Sequence, residues 1–235
     1  LSGAGHSIKN FVINSNTNNI GLFSNLTGNI FDLNVVDVTV TARGGQSNLG
    51  IIAGTNKGQI SNCSVFGTVE AKTSSNVGGL VGNNASGAAI KNCTNYASVS
   101  ANDYTGGIVG VSAGTLDFCI NEGTIVGGSY VGGIAGDISG TADTLENRGD
   151  ISASGNRVGG IFGNATGETK ERKNFATVTS SGDYVGGIVG YSQGSSSGSS
   201  NSGNVNGRYY VGGLFGYING NISGQINTVT VTGRA

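Results

Sequence analysis

The fold this sequence predicts is all-β: a parallel β-solenoid, coiled right-handed, with about eight coils of 26–29 residues. Three observations predict it. The stretch Tyr184-Val185-Gly186-Gly187-Ile188-Val189-Gly190 returns almost unchanged at 104–110, 130–136 and 210–216, with looser copies upstream. Between copies run short β-branched segments broken by Gly and Asn, with no 3.6-residue periodicity. Each aligned position also keeps its chemical type from copy to copy, as identical columns stacked into ladders must.

The corner comes first. Counted from the residue after the tyrosine, copies begin at Ile20, Leu49, Val77, Thr105, Val131, Val158, Val185 and Val211, spaced by 29, 28, 28, 26, 27, 27 and 26 residues. The next residue is always Gly. Three places after the origin stands a large apolar residue (Phe23, Ile52, Leu80, Ile108, Ile134, Ile161, Ile188, Leu214), and each copy closes on Gly, with Asn25 in the first. The Gly-Gly pair is expected to turn the chain through positive φ.

The rest of the unit follows in order. Ile30, Ile60, Ile90, Leu116 and Ile222 share an apolar column that decays to Ala142, Thr169 and Ser196. Next is a column of Leu33, Cys63, Cys93, Cys119 and Leu145, and two residues on an asparagine column at 95, 121, 147, 174, 201 and 227. A small residue follows (Gly67, Ala97, Gly123, Gly149, Ala176, Gly203), then a segment with an inward Val or Ile between outward polar residues. Alternate positions share one face of an extended chain, so cysteine, asparagine, small residue and valine all point inward. The asparagines suit amides stacked from coil to coil. Three short strands and three turns per coil are expected, and eight coils at about 4.8 Å rise to roughly 38 Å.

Composition sets the outer bounds. The 235 residues include 45 Gly and no Pro, which is neither collagen-like nor typical of a disordered linker. A net charge of −1 offers no footprint for nucleic acid, and no apolar run is long enough for a membrane-spanning helix. The chain opens without Met or a signal peptide. Residues Ile8-Lys9-Asn10-Phe11 match Ile90-Lys91-Asn92-Cys93, so it is expected to start in mid-unit. It lacks polar caps. Residues 1–235 therefore read as a single repeat domain cut from a longer protein, with covalently attached flanking domains as neighbours.

These units resemble the GLUG repeat, through Gly79-Leu80-Val81-Gly82 and Gly213-Leu214-Phe215-Gly216, with Ile for Leu in Gly107-Ile108-Val109-Gly110. The resemblance covers essentially the whole chain. It implies an exported bacterial protein, extracellular or on the cell surface, since such repeats occur in adhesin-like proteins and IgA-specific metallopeptidases. A repeat family does not define an activity.

Candidate chemistry is sparse. His6 is the sole histidine and lies in the N-terminal half-coil, so HExxH is absent and a Ser-His-Asp set is not expected, and no cofactor or metal motif appears. The thirteen acids are scattered. Their densest run, Glu168-Thr169-Lys170-Glu171-Arg172-Lys173, alternates in sign and reads as a solvated face or loop. The cysteines read as buried free thiols acting as small hydrophobes, a disulfide being the less favoured alternative. Asn-x-Ser/Thr sequons at Asn25, Asn62, Asn84, Asn92, Asn164 and Asn221 are expected from composition alone.

Two surface patterns remain. Tyr104, Tyr130, Arg157, Tyr184 and Tyr210 precede successive origins, either as an aromatic stripe able to meet a host or cell-surface glycan or protein, or as a structural ladder covering the corner. Outward threonines at Thr39, Thr41, Thr68, Thr124, Thr177, Thr179, Thr230 and Thr232 resemble an ice-binding face, interrupted by Glu70, Val126, Asp150, Asn204 and Asn206. Threonine is also a good exposed strand residue. The favoured reading is a non-enzymatic structural or adhesive rod, ahead of a carbohydrate- or ice-binding face and of a polysaccharide-active enzyme.

Overall fold

The computed structural model describes residues 1–234 and contains strands and no helix among them. Strands pair in parallel into four sheets of 15, 8, 8 and 7 strands, each sheet joining one coil to the next. The corner copies stack in the register their spacing dictates. Ile20 bridges to Leu49, and Leu49, Val77, Thr105, Val131, Val158, Val185 and Val211 pair in succession. The apolar column from Ile30 to Ile222 and the asparagine column are likewise continuous. The molecule is a β-solenoid of eight coils.

A middle coil holds five short segments rather than three: Thr105–Gly106, Val109–Ser112, Thr115–Asp117, Ile120–Asn121 and Ile125–Gly127. The last two belong to one sheet and are split by the asparagine. In the first two coils this column is Val35 and Val65, and Asn34–Ala42 and Ser64–Ala71 run through it unbroken. From Asn95 onward the strand breaks. Asn95 Nδ2 donates to the Ala97 carbonyl at 2.8 Å and the Ala97 N–H donates to Asn95 Oδ1 at 3.1 Å, so the side chain replaces strand hydrogen bonds with a local ring.

The same amides form the expected ladder. Asn95 donates to Asn121 at 2.8 Å, Asn121 to Asn147 at 2.8 Å, Asn147 to Asn174 at 2.9 Å, Asn174 to Asn201 at 2.8 Å and Asn201 to Asn227 at 3.3 Å. The first five are buried. Each therefore satisfies both its own coil and its neighbour, which offsets the cost of placing an amide in the core.

The glycine corner works differently from the expectation. None of the Gly-Gly residues has positive φ; the left-handed residue is the one before each origin, from Asn19 through Tyr104, Tyr130, Arg157, Tyr184 and Tyr210, with φ of 53–64°. The glycines answer a shortage of space. A Cβ on Gly107 would lie 2.2 Å from Asn121 Oδ1, and one on Gly110 would lie 2.3 Å from the Asn76 carbonyl carbon. A second left-handed turn falls at Asp32, Asn62, Asn92, Phe118, Thr144 and Glu171, then Gly198 and Gly224.

Three further readings are corrected. Phe23 pairs with Ala53, not with the Ile52 column, because the first copy is one residue short, and Ser24 rather than Asn25 takes the closing-glycine place. Ile8 and Phe11 pair with Val35 and Val38, two columns away from the Ile90–Cys93 match, because Ser2 already bridges to Phe31 and sets an earlier register. Of the two readings of the run at 168–173, the face holds and the loop does not: Thr169–Lys170 and Arg172–Asn174 are strands, Glu168, Lys170, Glu171 and Lys173 are exposed, and Thr169 and Arg172 lie inside the coil.

Candidate functional site

The left-handed corner holds its tyrosines in a stacked row. Tyr104 and Tyr130 lie 4.4 Å apart at 20°, and Tyr184 and Tyr210 lie 4.7 Å apart at 4°. These spacings follow the coil rise, and within each pair one face of each ring is covered by its neighbour. Upstream the same column is an amide row: Asn76 donates to Asn48 at 3.0 Å and Asn48 to Asn19 at 2.8 Å. Burial, then the nearby Tyr130 phenol and Asp137 carboxylate, hold the Tyr104 hydroxyl above its ordinary pKa.

A second aromatic column stands beside the first and was missed in the sequence. Tyr191 and Tyr217 stack at 4.6 Å, and Tyr184 meets Tyr191 edge-on at 5.6 Å. They follow the closing glycines Gly190 and Gly216, and their equivalents Val111, Asp137 and Asn164 are not aromatic. Arg157 interrupts the tyrosine row and leans into this second column. Its guanidinium lies 5.0 Å from the Tyr130 ring centre and 4.2 Å from that of Tyr191. Its Nη1 donates to Asn164 Oδ1 at 3.2 Å, while Asn164 Nδ2 donates to Asp137 at 2.7 Å. Among the described residues Arg157 has no ion pair.

The threonines occupy two adjacent outward columns of the largest sheet. One runs through Thr39, Thr68, Ser98, Thr124, Asp150, Thr177, Asn204 and Thr230; the other through Thr41, Glu70, Ser100, Val126, Ser152, Thr179, Asn206 and Thr232. Thr177 and Thr179 line an open depression of about 410 Å³ with Thr124, Val126, Asp150 and Ser152. Threonine adjoins threonine across coils only at Thr39–Thr68, so the hydroxyl lattice is broken by charge and by valine.

Cys63, Cys93 and Cys119 are free and buried in consecutive coils. Their thiols donate to Ser61, Lys91 and Asp117 carbonyls at 3.1, 3.1 and 3.3 Å. Burial pushes the Cys119 thiol up to about 12, so it stays neutral and unreactive. In the sixth coil the same column holds Arg172, fully buried, which donates to Thr169 O at 3.1 Å and to Ser196 Oγ. Its Nε and Nη1 have no partner, and burial alone depresses it to about 9.

A third surface feature also escaped the sequence reading. Phe66 and Tyr96 stack at 4.4 Å, and further along their column Arg148 pairs with Glu122 at 3.0 Å and with Glu146. Nearby Phe118, Ile120 and Leu145, with Glu146, Glu171 and Lys173, line a depression of about 160 Å³. Among the described residues no three His, Cys, Asp or Glu converge to hold a metal ion, and His6 is exposed. Among the described residues no helix is long and apolar enough to cross a membrane. Of the sequons, Asn84 is buried and donates to Ser112 Oγ at 3.1 Å.

Residues 73–100, one full coil, match the GLUG motif. No curated protein matches the chain in sequence. Among solved structures, the chain is similar to a Bacteroides ovatus protein provisionally described as an immunoglobulin A1 protease. The TM-score is 0.54 and the identity 21%, over 97% of this chain and 68% of that one, a likeness of fold.

Proposed function

We propose that this chain is a rigid, non-catalytic rod of an exported bacterial surface protein, which mediates attachment or carries other domains outward. The observation that carries the reading is the unbroken stacking of one coil design through four parallel sheets. The inward columns are spent on packing and on buried amide rows, with Arg172 the one buried charge among the described residues, and a repeat built this way serves shape. A solenoid of this kind holds its ends at a fixed separation, because each coil is bonded to its neighbours along its whole length. The outward aromatic, cationic and hydroxyl columns are the parts left to meet a partner. Peptidase chemistry is not assigned to this chain, although the Bacteroides protein of like fold carries that description.

The test is replacement in the parent bacterium. Exchanging residues 1–235 for an unrelated solenoid of equal length should restore attachment if the segment is a spacer, and should leave attachment lost if its own surface adheres. Hydrolysis or lyase cleavage of a polysaccharide, or cleavage of immunoglobulin A, by the purified chain would overturn the non-catalytic reading.

A further inference from the structure

Arg157 is the one place on the tyrosine corner where a charge is fixed in position and left without a counter-charge. The guanidinium lies over the Tyr130 and Tyr191 rings, at 5.0 and 4.2 Å. Both rings are within cation–π range and hold the guanidinium in place. Of its N–H groups one, on Nη1, is used by Asn164; the others have no acceptor among the described residues. Asp137 makes no ion pair with it: the Asn164 amide stands between them and bonds to both. The side chain is half-buried, so much of the rotamer freedom that an arginine loses on binding is already lost. A flat cation held by two rings and with N–H groups left free is matched by a carboxylate, which takes two parallel N–H bonds.

The groups in line with Arg157 narrow the kind of acid. On the same corner stand the phenols of Tyr104, Tyr130, Tyr184 and Tyr210, continued by the amides of Asn76 and Asn48. All can donate and accept, and they repeat at the coil rise of about 4.8 Å, close to the length of one sugar residue in an extended glycan. Within each pair, Tyr104 with Tyr130 and Tyr184 with Tyr210, one face of each ring is covered by its neighbour, and the phenols are the feature the row repeats. A hydroxyl-rich chain lying along the rod axis meets one polar group per coil.

We propose that the corner binds a carboxylated glycan, a linear polysaccharide carrying uronic acid, with Arg157 holding a carboxylate and the flanking tyrosine hydroxyls meeting the sugar hydroxyls. The proposal rests on the attachment branch of the function above and specifies its ligand. The experiment is calorimetric titration of the intact chain with oligogalacturonate and with hyaluronan oligosaccharides, beside neutral galacto-oligosaccharides and hexaglutamate. Either uronate should bind at least about tenfold more tightly than the neutral sugar and the peptide. Arg157→Gln should reduce uronate binding to the neutral level, Arg157→Lys should restore part of it, and Arg148→Gln, on another face, should leave it unchanged. Circular dichroism of each variant checks that the solenoid is intact.

Equal binding of acidic and neutral sugars, no loss in Arg157→Gln, or no uronate binding at all overturns the site. Equal binding of hexaglutamate overturns the glycan assignment. The replacement experiment answers separately: attachment lost with an unrelated solenoid, together with no uronate binding, leaves the adhesive rod standing and removes this ligand.

Discussion

A Cβ on Gly133 would lie 2.3 Å from the side-chain Cγ of Asn147. The corner glycine of one coil is thus the socket for the buried amide that links that coil to the next. Gly107 stands in the same relation to Asn121, and Gly187 to Asn201. The two most regular columns of the repeat are one structural device: the glycine removes a side chain so that the amide row can run through the core.

Gly133→Ala should therefore cost about 3 kcal/mol, since the new methyl meets both the ladder and the Gly160 carbonyl, and a backbone must move. Gly28→Ala is the control. Nothing lies within 4 Å of a Cβ there, and the backbone is not left-handed, so the change should be neutral or stabilising by up to about 1 kcal/mol. Urea unfolding of the two variants checks the pair, and equal midpoints would refute the socket.

Asn147→Ala should cost about 2–4 kcal/mol, because in a buried row it takes one of two partners from the Asn121 amide and from the Asn174 carbonyl oxygen, and removes the local ring with Gly149. The loss should exceed that of Thr94→Ala, one residue before the ladder on the outward side, by thermal or urea unfolding.

The coil design was legible in the sequence because stacking forces each column to keep one chemical type, and periodic columns survive local variation. What was not legible depends on single copies or on distances. Arg172 sits two residues before Asn174, the offset that puts Cys93 before Asn95, yet the alternating charges around it read as solvent-facing. Tyr191 and Tyr217 form a column in only the last two coils, too short to stand out. A glycine needed for close approach and one needed for positive φ look identical in sequence, so the corner was assigned the wrong reason. The tyrosine stripe was visible, but its partner column and the position of Arg157 between two rings depend on how far a side chain leans.

Arg172→Leu should stabilise the chain by about 1–4 kcal/mol, because it replaces a buried charge having two unpartnered nitrogens with the residue Leu145 supplies one coil earlier. The pH dependence has a definite sign. Burial lowers the folded-state pKa to about 9, well below the ordinary guanidinium range, so the folded chain binds this proton less tightly than the unfolded one. The cost is present in full below pH 9 and fades as pH rises beyond it. The advantage of Arg172→Leu should accordingly shrink above that pH, measured as the difference in unfolding free energy between the two proteins.

Cys119 responds in the opposite direction. Cys119 is raised to about 12 from 9.0 by burial, so its neutral thiol favours the folded state below pH 9, and that contribution is lost as pH climbs toward 12. Cys119→Ala should flatten this alkaline decline. With a thiol reagent at neutral pH, the native chain should react only as fast as it opens, and all three cysteines should titrate together in denaturant. A fast-reacting thiol in the native protein would contradict the buried stack.

Tyr184 separates what the ring contributes from what the backbone costs. It stacks on Tyr210, meets Tyr191 and Tyr217 edge-on, and has φ of 58°. Tyr184→Ala keeps the strained backbone and loses all three ring contacts, a cost of about 1–3 kcal/mol. Tyr184→Gly loses the same contacts but relieves the left-handed strain, and should be more stable than the alanine variant by about 1 kcal/mol. Tyr184→Asn should also exceed alanine, because asparagine tolerates this conformation and already fills it at Asn76, with φ of 56°. Unfolding midpoints in the order tyrosine, then asparagine and glycine, then alanine would show that the row is held by stacking against a conformational cost. Alanine above glycine would mean that the left-handed corner costs nothing, and that the preference for Asn, Tyr and Arg at this position has another origin.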